Sequence, residues 1–296
     1  MKRLLPYLAM LPILLLGSCQ FEKSVKKNFR NSSETISEGI GVDHIKIIQN
    51  GKETPHNLFE FADDIRFIFN DVTGLKEKEG RVYPKMSMKV VSSKKETVFH
   101  EPDLLAQHIK DGTDLKPLQL TASLVPAFST KDSPYDIYLE ITDENGKGKL
   151  DYHMRFDLIE GMLLFIGKEG LDYEHIYLYN ESQNTMVRDG KVDAKDEYTL
   201  MFEGISGLQA KDGMVYPALM IDITDSLGKK VLHNPNVLQQ LTETGMKEAE
   251  FLESKFPVTI RFKPYDLVNP CALKAVFEDK VSGKKIHAGG LIHIEY

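Results

Sequence analysis

Asp143-Glu144-Asn145-Gly146-Lys147-Gly148 gathers the oxygen ligands and glycines of a calcium loop into one short run. Counted from Asp143, Asn145 and Gly148 stand at the third and sixth positions, where such a loop needs a ligand and a turn. Lys147, at the fifth, would repel the cation, and Met154, at the twelfth, cannot close the site as a bidentate glutamate would. The related stretch Asp279-Lys280-Val281-Ser282-Gly283-Lys284 lacks the carboxylates. Both read as hairpin turns.

The histidines offer less. His100 and His233 recur at matching places, as do His44 and His175, but one histidine is not a metal site, and no Cys, Asp or Glu cluster stands at ligand spacing. His100 and His233 are expected to stabilise a turn before a short helix. His287 and His293 lack a helical His-x-x-x-His context and read the same way. Asp63-Asp64 and Asp196-Glu197 are acidic pairs that could serve glycoside chemistry only if they converged across a cleft. Neighbours on a strand point to opposite faces, so solvation of a strand start is expected for both. Cys271 reads as a buried structural thiol. No Gly-x-Ser-x-Gly, Walker A or dinucleotide fingerprint is present, so no catalytic residue, metal or cofactor is assigned.

One cysteine has a chemical role written into its surroundings. Lys2 and Arg3 precede an apolar run from Leu4 to Leu16 that contains Pro6 and Pro12. That run is too short to span a bilayer and reads as a secretory signal. Leu16-Gly17-Ser18-Cys19 follows, an aliphatic residue, two small ones and a cysteine. This resembles the bacterial lipoprotein lipobox cut by signal peptidase II. The resemblance implies a diacylglyceryl thioether on Cys19, cleavage before it, and acylation, such as with palmitate, of the new amine. Several acyl chains give lasting anchorage where one is marginal. Gln20, a non-Asp residue after the cysteine, implies the outer membrane by the proteobacterial sorting pattern, with the domains facing the periplasm or the outside. Lipidation uses Cys19, so Cys271 has no partner for a disulfide.

The formal net charge is -7. Loss of Lys2 and Arg3 with the signal leaves 35 basic against 44 acidic side chains. No basic tract accompanies this acidity, so nucleic acid is not an expected partner. A mature chain of about 275 residues can bury its own cores, most naturally as two domains.

The elements repeat. Phe69–Pro84 (FNDVTGLKEKEGRVYP) and Phe202–Pro217 (FEGISGLQAKDGMVYP) share eight of 16 positions at a constant offset of 133. The register runs on to His100-Glu101-Pro102-Asp103 and His233-Asn234-Pro235-Asn236, while His44-Ile45 answers His175-Ile176. The period is too long for a solenoid and marks a domain duplication. Within each copy apolar residues alternate: Ile65, Phe67, Phe69 with Tyr198, Leu200, Phe202, and Tyr135, Ile137, Leu139, Ile141 with Cys271, Leu273, Ala275, Phe277. About seven strands per copy, with turns at Asn145-Gly146 and Ser282-Gly283, predict an all-β fold of two tandem antiparallel, immunoglobulin-like sandwiches. Each is expected to carry a short helix, near 103–109 and 236–241. Pro84 and Pro217 predict an edge strand or a bulge.

The expected division is a signal peptide (1–18), a flexible tether (19–41), sandwich repeat one (42–159), an apolar inter-domain linker (160–172) and sandwich repeat two (173–296). The tether, as a coil of about 20 residues, would hold the first domain roughly 25 Å from the lipid. Met162 to Ile166 is expected to pack at the domain junction.

These features favour a lipid-anchored, non-enzymatic envelope protein whose domains bind envelope proteins or support an envelope assembly. An alternative is a glycan- or peptide-binding accessory of nutrient uptake. With no Trp present, Tyr83, Tyr135, Tyr138 and Tyr265 would then supply the aromatic faces. A hydrolase of unrecognised geometry is the second alternative. The sequence assigns no ligand.

Overall fold

The computed structural model describes residues 23–263 and 266–296. Cys19 and Tyr265 lie outside the described residues. The chain is all-β, and its buried apolar side chains fall into two clusters, one from Ile40 to Leu158 and one from Leu164 to Ile294.

The first unit runs β1 (Lys23–Asn28), β2 (Ser33–Glu38), β3 (His44–Gln49), β4 (Lys52–Glu53), β5 (Leu58–Glu60) and β6 (Ile65–Asn70). It continues with β7 (Pro84–Val91), β8 (Thr97–Glu101), β9 (Leu120–Leu124), β10 (Tyr135–Asp143) and β11 (Lys149–Ile159). One sheet has the order β1-β2-β11-β10-β7-β8, with β5 parallel to β11, and the facing sheet is β4-β3-β6-β9. The second unit repeats the pattern with β12 (Phe165–Glu169), β13 (His175–Asn180), β14 (Thr185–Met186), β15 (Lys191–Asp193) and β16 (Glu197–Glu203). There follow β17 (Met214–Val215), β18 (Pro217–Thr224), β19 (Lys230–Asn234), α1 (Gln239–Thr244), β20 (Met246–Lys247) and α2 (Glu248–Leu252). The chain ends with β21 (Lys255–Arg261), β22 (Cys271–Asp279) and β23 (Lys285–Glu295). Its sheets are β12-β23-β22-β18-β19, with β15 parallel to β23, and β14-β13-β16-β21; β17 and β20 pair separately.

Period-two alternation places the cores. Ile65, Phe67 and Phe69 face inward between exposed or half-buried neighbours, and Tyr135, Ile137, Leu139 and Ile141 also face inward, with Asp136 buried between the first two. Their counterparts Tyr198, Leu200 and Phe202, and the row from Cys271 to Phe277, face inward too, with Thr199 also buried. Apolar area removed from water by these rows is what holds each pair of sheets together.

Four expectations change. First, the stretch expected to be a flexible tether is structured from Lys23 to Glu38. It forms a hairpin whose second strand pairs with β11 from Lys149 to Met154. Its strands lack an apolar rhythm because β1 is the edge strand and β2 lies next to it, where charge replaces burial. Lys23 pairs with Glu38 at 2.8 Å and Lys27 with Glu34 at 3.3 Å, in strand register.

Second, residues 160–172 are more than a linker strip: Glu160, Met162 and Asp172 do touch the first unit, but the stretch also supplies a strand. Phe165–Glu169 is β12, the counterpart of β2, laid on β23. At that edge Phe165 is 84% exposed and Met162, in the turn before the strand, 77% exposed, while Leu164 turns inward. Glu38-Gly39-Ile40 and Glu169-Gly170-Leu171 thus open equivalent repeats upstream of residues 42 and 173. Gly39 and Gly170 take φ of 77° and 84° and make the same bridges, to Lys149 and Lys285.

Third, the short helices form in the second unit; 103–109 in the first closes as turns. In α1 the Thr242 hydroxyl donates to the carbonyls of Pro217 and Leu238 and meets the Asn236 amide at 2.8 Å. Ile109 stands at that place in the first unit and makes none of these bonds.

Fourth, Pro84 and Pro217 are neither at an edge strand nor at a bulge. Each is the first residue of a central strand. β10 and β22 pair from the prolines onward, opposite Asp143 and Asp279, but β8 and β19 on the other side pair only from Met88 and Ile221, so a proline is tolerated at this strand start. No helix among the described residues is long and apolar enough to cross a membrane.

Candidate functional site

Asp63 is the most constrained polar residue in the first unit. Expected as a solvated strand start, it is wholly buried. Its carboxylate accepts hydrogen bonds from Gln49 Nε2, Asn50 Nδ2 and the backbone N–H of Glu60, each at 2.7 Å. Arg188, from the second unit, adds its guanidinium at 3.0 Å from Oδ1. The same side chain lies 3.4 Å from Glu60 Oε2 and donates to the carbonyl of Phe61 at 3.2 Å. Burial of a carboxylate is tolerable because every lone pair is met.

Beside it the Phe61 ring stacks on His175, with centroids 3.9 Å apart and planes 21° from parallel, and approaches Tyr177 at 5.5 Å. His175 Nδ1 lies 3.3 Å from Glu160, which accepts the Thr130 hydroxyl at 2.5 Å. A third contact joins Lys131 to Asp172 at 2.9 Å. Lys131, assisted by Lys168, holds the Asp172 carboxyl down at about 2. These residues tie the 60–63 corner and the 130–131 loop of one unit to β13 and the 172 and 188 turns of the other. Chemically the cluster is a lock: its acids and its base face one another and the backbone, without an open position for a reacting atom.

Asp143 accepts the N–H of Lys76 at 2.6 Å and of Asn145 at 3.0 Å, so its oxygens pin the hairpin turn. Asp279 does the same with Gln209 and Val281, at 2.9 and 3.1 Å, and with Ser282. Burial pushes its carboxyl up, but the bonds from Ser282 and those backbone groups prevail and bring it below the ordinary range.

His100 and His233 are not the turn-makers. They lie in β8 and β19, opposite Lys89 and Asp222. The turn belongs to Asp103 and Asn236, whose side chains accept the N–H groups of Leu105 and Leu238 at 3.0 and 3.1 Å. His287 Nε2 stands 3.2 Å from Glu169, and His293 pairs with Lys191 across β15. His44 contacts Asp43 at 2.7 Å. Asp64 is bound to Arg66 at 2.6 Å, Glu197 to Arg261, and Asp196 accepts from Asn180 and Gln183. Cys271 is fully buried, and burial pushes its thiol up. Among the described residues no His, Cys, Asp and Glu group could hold a metal.

Among the described residues, Tyr83, Tyr135 and Tyr138 do not come together as one platform. Tyr135 is in the core, its hydroxyl donating to Ser129 O at 2.6 Å and pushed up to about 12, chiefly by burial. Tyr138 lies on the outer face, stacked on His153 at 4.7 Å. Tyr83 precedes Pro84, which pairs with Asp143 at the far end of β10.

A groove of about 500 Å³ opens where the β1–β2 hairpin overhangs β3. Lys26, Ser33, Thr35, Ser37 and the buried Tyr152 line one wall, and Ile40, Val42 and Ile45 the other. Neither this groove nor the polar and aromatic contacts of the junction are legible in the sequence, which marked only the apolar run from Met162 to Ile166 for that place. The spacing of Lys23 and Lys27 against Glu34 and Glu38 was the available signal for the hairpin. Nothing in the sequence pairs Arg188 with Asp63.

No family model matches the chain, and no curated protein matches it. Solved structures with some likeness include one concerned with host cell surface retention of a 1.5-MDa bacterial ice-binding adhesin. That match has 10% identity and a TM-score of 0.22, over 85% of this chain and 65% of the other. The C-terminal domain of the Streptococcus agalactiae AgI/II polypeptide BspA matches at 13% identity and TM-score 0.25, over 84% and 99%. A DUF4785 family protein from Legionella pneumophila matches at 10% and 0.23, over 86% and 53%. The chain thus spans just under two thirds of the adhesin structure it matches. At these scores the likenesses say nothing about function.

Proposed function

We propose that this chain is a lipid-anchored, non-enzymatic protein of the bacterial envelope, in which two sandwich units joined stiffly in series present a binding or supporting surface. The observation that carries the reading is the junction: Arg188 on Asp63 and Phe61 on His175 make one body of two units. Supporting it, groups with chemical potential are taken up structurally: Asp143 and Asp279 in hydrogen bonds, and Cys271 by burial. The anchor is Cys19, in the lipobox-like Leu16-Gly17-Ser18-Cys19, with the outer membrane as its site and envelope proteins as its partners.

In vivo crosslinking followed by mass spectrometry tests this, reading the mass at Cys19 and the crosslinked neighbours together. The reading expects an acylated Cys19 and recurrent envelope partners. An unmodified Cys19, or a protein without neighbours, contradicts it.

The groove above β3 favours a second reading, a glycan- or peptide-binding accessory, because hydroxyls and the amines of Lys26 and Lys27 line it together with apolar side chains. Binding on a glycan or peptide array that is lost in Tyr152→Ala supports this; an empty array ends it.

A further inference from the structure

The β1 strand ends the first sheet, and all six of its residues are exposed. It begins at Lys23, four residues after Cys19. Even fully extended, that stretch reaches only about 14 Å. If Cys19 carries lipid, as proposed above, this edge is the part of the fold held nearest the membrane.

Its composition suits that position. Lys23–Glu38 holds four basic side chains against two acidic ones, a local excess of positive charge in a chain of net charge -7. Lys23 and Lys27 are engaged with Glu38 and Glu34, whereas Lys26 and Arg30 have no ion pair among the described residues. At the hairpin turn Phe29 is 90% exposed, and Val25 on the strand is also exposed. Basic groups beside an outward aromatic are the combination that binds an anionic lipid interface.

We propose that the β1 edge is a membrane-contact surface, with Lys26 and Arg30 against anionic headgroup phosphates and Phe29 in the interfacial layer. The two-unit body then lies close along the bilayer, with no tether holding it away.

The absence of tryptophan makes the test direct. Phe29→Trp gives the full-length chain a single indole, and Leu227→Trp gives a control at an exposed turn of the second unit. Each is reconstituted in phosphatidylglycerol–phosphatidylcholine vesicles containing brominated lipid. The proposal expects blue-shifted, bromine-quenched emission from Phe29→Trp and unquenched emission from Leu227→Trp. It also expects about 30-fold weaker partitioning of an anchor-free chain, Cys19→Ser, when Lys26→Ala and Arg30→Ala are added. Phe29→Trp as unquenched as the control overturns it, and β1 is then a solvated edge blunted by lysines. The mass at Cys19 is read on the same sample, so an acylated chain with an unquenched indole sinks this inference alone. An unmodified Cys19 sinks the anchor reading, and quenching of the unanchored chain by the same vesicles then decides this one.

Discussion

Arg188 and Asp63 meet across the junction at 3.0 Å, an arginine of the second unit closing the one polar pocket of the first whose carboxylate sees no solvent. The two residues are far apart in sequence and belong to corners that the repeat does not make alike. Asp63 has its counterpart in Asp196, held by Asn180 and Gln183 within the second unit, where no outside arginine reaches it. The duplication built the pocket twice, and the junction uses one of the two.

Arg188→Ala should destabilise the protein by about 3 kcal/mol, because it leaves a buried carboxylate short of its cation. A double-mutant cycle with Asp63→Asn, read by denaturant unfolding, should show strong coupling. Calorimetry should resolve two transitions in the single variant where the parent shows one. Additive effects within about 0.5 kcal/mol would remove the pair from the account.

The legible part of this chain was its interior. Phe67, Leu200 and Ile137 announce themselves because a core row must alternate, and that alternation survives in both copies. The edges carry no such rule. β1 and β2 read as a tether because Lys23, Lys27, Glu34 and Glu38 stabilise them through charge, and β12 read as a linker because its apolar run hides an edge strand that turns Phe165 outward. Junction residues were illegible for another reason: Arg188 is an ordinary surface arginine until the fold brings Asp63 to it.

Asp143→Ala should cost about 2 kcal/mol by leaving the N–H groups of Lys76 and Asn145 without an acceptor. Asp279→Ala should do the same in the second unit through Gln209 and Val281. Neither change should alter calcium binding, because the Asp143 and Asp279 oxygens are already taken up by backbone N–H groups; isothermal titration with calcium checks this, and unfolding checks the cost.

Acid should loosen the Lys131–Asp172 contact. The Asp172 carboxyl sits at about 2 in the folded protein, below an ordinary unfolded value of about 3.9, so its stabilisation is full above about pH 5. It is lost as pH falls from about 4 toward 2. The pair is half exposed, which limits it to roughly 0.5 kcal/mol, reduced further by salt. Lys131→Ala should flatten that part of the stability–pH curve; an unchanged curve would count against the contact.

Cys271 should resist alkylation in the native state, since its sulfur is buried and burial keeps it a thiol. Iodoacetamide labelling followed by mass spectrometry should track global unfolding in denaturant. Fast labelling at zero denaturant would mean that the start of β22 opens locally.

The stiffness of the junction is the claim on which the functional reading turns, and a distance across it is the most direct measurement. Spin labels at Lys89→Cys and Lys274→Cys, both exposed and one in each unit, report that distance by pulsed electron resonance while the buried Cys271 stays unlabelled. A single narrow distribution, broadened when Phe61→Ala and Arg188→Ala are combined, is the predicted result. A broad distribution in the parent, unchanged by those substitutions, would contradict it.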